Sequence, residues 1–210
     1  MSTFSPRRLS AFTLTELLVA VAIISALAAF LIPALSTAFE RSRSTKCLGH
    51  LRQLALGMSQ YADEHNNQFP LGGNDASAVG ASAWYFAIAP YVGIADGEMG
   101  LAPKPRAVGP FLCPSFKPLE NRAASYGINI YMMNLYSPWR YKRLVCPNPA
   151  GTILIGEKNY NTDQVYPTGA SARSAVEKRH LDGANYVMVD LHAEYIAGDL
   201  PATDSRWKWW

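Results

Sequence analysis

"RRLSAFTLTELLVAVAIISALAAFLIPAL", Arg7–Leu35, decides how the rest of the chain is read. From Phe12 to Ile32 it holds 21 residues with Glu16 as the single charge. At about 1.5 Å per residue a helix of that length spans roughly 30 Å, the thickness of a hydrocarbon core. A secretory signal peptide has an apolar run of roughly 7–15 residues followed by its cleavage site. Here the run is longer, and the small-residue pattern Ala26-Leu27-Ala28 lies inside it. A plain uncleaved anchor fits the length but leaves Glu16 without a reason. A charge within a spanning helix costs on the order of 2.5–3.5 kcal/mol on insertion scales, less near its end.

The remaining composition bounds the rest of the reading. A chain of 210 residues leaves room for one modest globular domain beside a membrane segment. The net charge of +3 is too small to suggest direct nucleic-acid binding. Arg7 and Arg8 precede the apolar run with no acid beside them; without them the chain carries 17 basic and 16 acidic residues. The basic excess therefore speaks to membrane orientation, with Arg7 and Arg8 on the cytoplasmic side. Cys47, Cys113 and Cys146 form no CxxC pair, which argues against a zinc ribbon or a thioredoxin-like motif. In a domain outside the cytoplasm one disulfide and one leftover thiol are expected; Cys113 and Cys146, both followed by proline, are one candidate pair, and the sequence alone leaves the pairing open.

Beyond Pro33, which lacks a backbone donor and is expected to kink the helix, the pattern resumes. Leu48, Leu51, Leu54, Ala55, Met58, Tyr61 and Ala62 recur at three- and four-residue steps and predict an amphipathic helix. "HNNQFPLGG" ends it. The chain then passes through a Gly-, Ala- and Pro-rich stretch with an aromatic patch, "SAWYFAIAPYVG". Strand-like segments follow at Ser125–Asn134, Gly151–Lys158 and Ala184–Ala197. Few strands, no βαβ rhythm and a long N-terminal helix predict an α+β fold with a small antiparallel sheet. The expected boundaries are 1–11 for a leader and 12–34 for the membrane half of the helix. Residues 35–66 form its amphipathic half, and 67–210 a globular head with a C-terminal hairpin at 184–197.

"SAFTLTELLVAVAII" resembles the N-terminal signal of type IV pilins and type II secretion pseudopilins. The resemblance implies that a prepilin peptidase/N-methyltransferase cuts between Ala11 and Phe12 and methylates the new N-terminus. Glu16 then becomes the fifth mature residue, and Pro33 matches the helix-kinking proline of many members. The residue before the cut is usually Gly in that family; here it is Ala11. Cleavage would create an amine on Phe12, and in a bundle of packed helices Glu16 could pair with the amine of a neighbouring subunit. Two opposite charges attract strongly in a low-dielectric bundle, while either alone is costly to bury. The implied partners are the peptidase, other pilin-like subunits, the assembly machinery and the inner membrane. The implied location is a single pass with an extracytoplasmic head, then a periplasmic or cell-surface filament.

"RHLDGANYVMVDLHAEYI" resembles the H-x9-D-G element at the end of many prepilin-like proteins, with His180 and Asp190 at that spacing. Leu191 stands where the group has Gly, so either Leu191 takes a strained positive φ or the turn has another geometry. The hairpin is read as structural. The sharper alternative is a metal site from His180, Asp190 and His192, since all three are competent ligands. A calcium site near Glu157 and Asp163 is a weaker one. No nucleophile, metalloprotease or phosphate-loop motif stands out, so neither a catalytic residue nor a cofactor is assigned. The expected function is a pilin-like structural subunit of a type II secretion or type IV pilus-like filament. Two other readings stay open: an unprocessed membrane-anchored binding or sensing protein, and an anchored metal-dependent enzyme. The tail "SRWKWW" either packs on the head, sits at a membrane interface or binds a partner.

Overall fold

The computed structural model describes residues 13–70, 84–95, 108–116, 125–129, 131, 142–158, 164–165, 167 and 176–208. The Ala11–Phe12 junction, Asp163, Trp209 and Trp210 lie outside the described residues. The chain divides into two compact units, residues 1–39 and 40–210. Helix α1 (Leu14–Glu64) contributes to both and contains Pro33.

In the first unit α1 begins with a reciprocal cap. Glu16 Oε2 accepts from the Thr13 backbone N–H at 2.9 Å and from the Thr13 hydroxyl at 2.7 Å, while the Glu16 N–H donates back to Thr13 Oγ1 at 3.2 Å. This is the capping box of a Thr-x-x-Glu start, which satisfies donors that the first helical turn otherwise leaves open. Large apolar side chains then stand exposed all round the helix, among them Leu18, Ile24, Leu27, Phe30 and Ile32. By length and composition α1 is the one described helix able to cross a membrane. The Pro33 carbonyl takes side-chain hydrogen bonds from Ser36 (2.8 Å) and Thr37 (3.2 Å).

In the second unit the same helix becomes one-sided. Cys47, Leu51, Leu54, Ala55, Met58 and Ala62 are fully buried, recurring at three- and four-residue steps with Leu54 and Ala55 side by side, as a core-facing stripe requires. The other elements are α2 (Trp84–Ile88) and strands β1 (Tyr126–Asn129), β2 (Ile153–Glu157), β3 (Gln164–Val165), β4 (Gly183–Met188) and β5 (Ala193–Ala197). They form one sheet in the order β3-β1-β2-β4-β5. β1, β2, β4 and β5 pair antiparallel, and two-residue β3 adds a parallel edge to β1. The fold is α+β, as the element pattern predicts.

Both faces of the sheet are covered, which explains why β4 is buried along its whole length. Val187 and Val189 point into the cluster shared with α1, α2 and Phe111. Ala184, Tyr186 and Met188 alternate onto the other face, where Leu200 and Trp207 pack on them. Trp207 is thus anchored in the core, its indole N–H donating to the Leu200 carbonyl at 3.2 Å. Gly183 permits the close β4–β5 approach: a Cβ there would lie 2.5 Å from the Ile196 carbonyl oxygen.

Candidate functional site

The sequence elements converge on a buried cluster beneath α1. His180 opens a tight turn in which its N–H and carbonyl exchange hydrogen bonds with Gly183 (3.1 and 2.9 Å). Leu181 and Asp182 between them both have positive φ, the conformation of a type I′ turn. This turn drives the His180 ring inward, where it is fully buried. Its Nδ1 lies 2.7 Å from Glu40 Oε1, and its Nε2 lies 2.9 Å from Glu157 Oε1 and 3.3 Å from Cys113 Sγ.

Each neighbour is itself fixed. Glu157 closes β2, and its Oε2 accepts from the Asn185 backbone N–H of β4 at 2.9 Å. A carboxylate there does what a strand carbonyl would do in the ladder. Glu40 lies two turns before Cys47 on α1, and Ser115 donates to its Oε1 at 2.8 Å. The Cys113 N–H donates to Ser125 Oγ at 2.9 Å. His50 Nδ1 meets the Leu112 carbonyl at 2.8 Å, holding the 108–116 segment against α1. Asn185 and Ser44 hydrogen-bond across the β4–α1 contact at 3.2 Å. Arg179, next to His180, lies 4.5 Å over the Phe116 ring and donates to the Ser125 carbonyl at 3.1 Å.

The electrostatics follow from this arrangement. Burial disfavours a charged His180, but the Glu157 carboxylate and then Glu40 outweigh it, so its pKa is raised. Since both carboxylates accept, the ring donates to both only as imidazolium. Burial works against ionised Glu40 as well, yet the hydrogen bonds from Ser115 and His180 leave its pKa lowered. The buried Tyr126 hydroxyl has no hydrogen-bond partner among the described residues. Burial, then the Glu157 charge, holds it well above the ordinary phenol range and therefore neutral.

Two sequence expectations need revision here, and a third point, left open by the sequence, is decided. The disulfide joins Cys113 to Cys47, not to Cys146, which is a buried free thiol. The reason is packing: Cys47 belongs to the buried face of α1, against which the Cys113 segment is held. Second, His180, Asp190 and His192 do not gather around one point. Asp190 and His192 pair with each other in the β4–β5 loop, where Asp190 Oδ1 accepts from the His192 backbone N–H (3.1 Å) and ring Nδ1 (2.6 Å). His180 turns instead to Glu40, Glu157 and Cys113. Third, Leu191 resolves the open question about that loop: its φ is +76°, so the leucine occupies the strained geometry that glycine would take freely.

Sequence reasoning missed Glu40 and Glu157 as partners of His180, because nothing local marks either. It also missed the capping role of Glu16, although Thr13-x-x-Glu16 is a recognisable signal.

Two family models match the chain. One, described as the prokaryotic N-terminal methylation motif, matches residues 6–32. The other, described as a protein of unknown function (DUF1559), matches residues 36–129. No curated protein and no solved structure matches the chain. The methylation motif lies on the apolar start of α1, and the second match begins just beyond Pro33. With the long apolar helix and the α+β unit, these matches support a prepilin-type chain, similar at its N-terminus to pilins and pseudopilins.

Proposed function

We propose that the chain is a structural subunit of a type II secretion or type IV pilus-like filament. In this reading the prepilin peptidase removes residues 1–11 by cutting between Ala11 and Phe12 and methylates Phe12. Residues 12–34 then hold the subunit in the inner membrane and pack against other subunits in the filament. Residues 35–66 carry the globular region 67–210 outside the cytoplasm. The observation that supports it best is the methylation motif over a helix start whose large apolar side chains stand exposed. Such a surface needs lipid or other helices around it.

Glu16 has two partners to choose between. In the isolated chain it caps its own helix through Thr13. In an assembly its carboxylate would meet the methylated amine of a neighbouring Phe12. Mass spectrometry of the mature N-terminus tests processing, and a chain with its leader intact in a host carrying the peptidase would favour a plain membrane anchor. Glu16→Gln and Glu16→Ala together test the pairing. Glutamine keeps the capping geometry and removes the charge; alanine removes both. Loss of assembly in both variants supports the intersubunit ion pair. Normal assembly of Glu16→Gln assigns Glu16 to the cap alone.

A further inference from the structure

We infer that the buried cluster is a closed four-ligand site for a zinc-type divalent cation, with Cys47, Cys113, Glu157 and His180 as its ligands. One ligand atom from each lies within 4.8 Å of all the others, and all four residues are buried. They come from four separate stretches: α1, the 108–116 segment, the end of β2 and the turn before β4. The set of two sulfurs, one imidazole nitrogen and one carboxylate oxygen is what tetrahedral zinc accepts.

The second atoms of these groups are already occupied in the way such a site requires. His180 Nδ1 faces Glu40 at 2.7 Å, which fixes the tautomer and leaves Nε2 as the ligating nitrogen. Glu157 Oε2 is held by the Asn185 N–H, which aims Oε1 at the centre. Oε1 and Nε2 are 2.9 Å apart, with Cys113 Sγ 3.3 Å from Nε2, so without a proton on Nε2 their lone pairs would crowd one point. A proton on Nε2 relieves that crowding in the oxidised chain. A divalent cation relieves it for all four groups at once. Glu40 is a positioning residue, acting through His180.

The two occupancies exclude one another. In the oxidised chain the sulfurs are bonded to each other. A dithiol reductant supplies two electrons and two protons, breaks the S–S bond and leaves two thiols, itself becoming the disulfide. Binding of the cation then releases both thiol protons and the Nε2 proton, and the sulfurs part to the roughly 3.8 Å edge of a site with Zn–S bonds of about 2.3 Å. A newly made chain, whose cysteines are not yet oxidised, starts in that dithiol state. Either link ties α1 to the 108–116 segment; only the metal also ties in β2 and His180.

The test uses the full chain in detergent, carrying Cys146→Ser so that the free thiol cannot contribute. Zn2+ stoichiometry is measured after reduction and after oxidation, and Co2+ replaces Zn2+ for absorption spectra. The expected result is one Zn2+ per reduced chain and none per oxidised chain. The Co2+ form should show sulfur-to-cobalt charge transfer and the intense visible bands of a tetrahedral ion. His180→Ala and Glu157→Gln should abolish stoichiometric uptake, and Glu40→Gln should weaken affinity about 10–100-fold. Circular dichroism of each variant in its oxidised form confirms that it folds. Three results each overturn the inference: no uptake by the reduced chain, equal uptake by the oxidised chain, or undiminished uptake by folded His180→Ala and Glu157→Gln variants.

Discussion

Glu16 and Glu157 are both single carboxylates set among apolar residues, and the chain supports them in opposite ways. Glu16 stands exposed at the start of α1, and its partner is three residues away in sequence. Glu157 is fully buried, and its partners Asn185 and His180 lie 28 and 23 residues away. A local partner leaves a carboxylate free to exchange it for another, as an assembly role for Glu16 would require. Distant partners bind a carboxylate into the fold, and removing it strands them.

The sharpest contrast comes from removing each acid. Glu157→Ala leaves the His180 Nε2–H and the Asn185 N–H without their carboxylate acceptor in the core, and should cost about 3–5 kcal/mol in denaturant unfolding of the oxidised chain. Glu16→Ala should leave the unfolding of the 40–210 unit within about 0.5 kcal/mol of the parent. Equal effects would erase the distinction between the two acids.

The cysteines refine the same contrast between near and far support. Breaking the Cys47–Cys113 link, whose cysteines are 66 residues apart, with Cys113→Ser should cost about 2–5 kcal/mol under oxidising conditions. Cys146→Ser, which breaks no bond, should cost less than about 1.5 kcal/mol. Reversed magnitudes would reassign the disulfide.

The β4–β5 loop offers a smaller effect with an unusual sign. Leu191→Gly and Leu191→Ala both lose the leucine contacts, but only glycine accepts φ +76° without strain. The glycine variant should be more stable than the alanine variant by about 1 kcal/mol, measured by thermal melting.

The smallest effect is expected at Asp204, which caps the turn before Trp207. Its carboxylate accepts from the Arg206 side chain and backbone, and the Arg206 side chain, foremost, holds its pKa below the ordinary aspartate range. A folded-state pKa lower than the unfolded one gives stability that is present above the unfolded value and fades as pH falls through the folded one. Asp204→Asn should therefore cost about 0.5–1 kcal/mol at neutral pH, and the difference should vanish in acid.

These features differ in how legible they are in the sequence. The long helix, the helical stripe from Leu51 to Ala62 and the strands around Tyr126, Ile153 and Gly183 follow from period and composition. Glu16 drew notice because it interrupts an apolar run. Glu157, in "GTILIGEK", interrupts nothing: an acid at a strand end is ordinary until Asn185 and His180 arrive beside it. Nothing in the sequence singles out Cys47 either, because its bond to Cys113 depends on which face of α1 meets the 108–116 segment. His180 and Asp190 were visible as a spacing. The turn between them sends one ring into the core and leaves the other side chain in the loop, and no linear pattern reveals that.

Cys146 carries a kinetic consequence. A chain with three cysteines and one disulfide holds a built-in attacker, since a thiolate that reaches either bonded sulfur can exchange with it. Burial of Cys146 keeps that sulfur out of reach while the fold is intact. The native pairing is thus protected by shape, and shuffling becomes possible only when the core opens. The rate at which an alkylating reagent labels Cys146 consequently reports how often that happens.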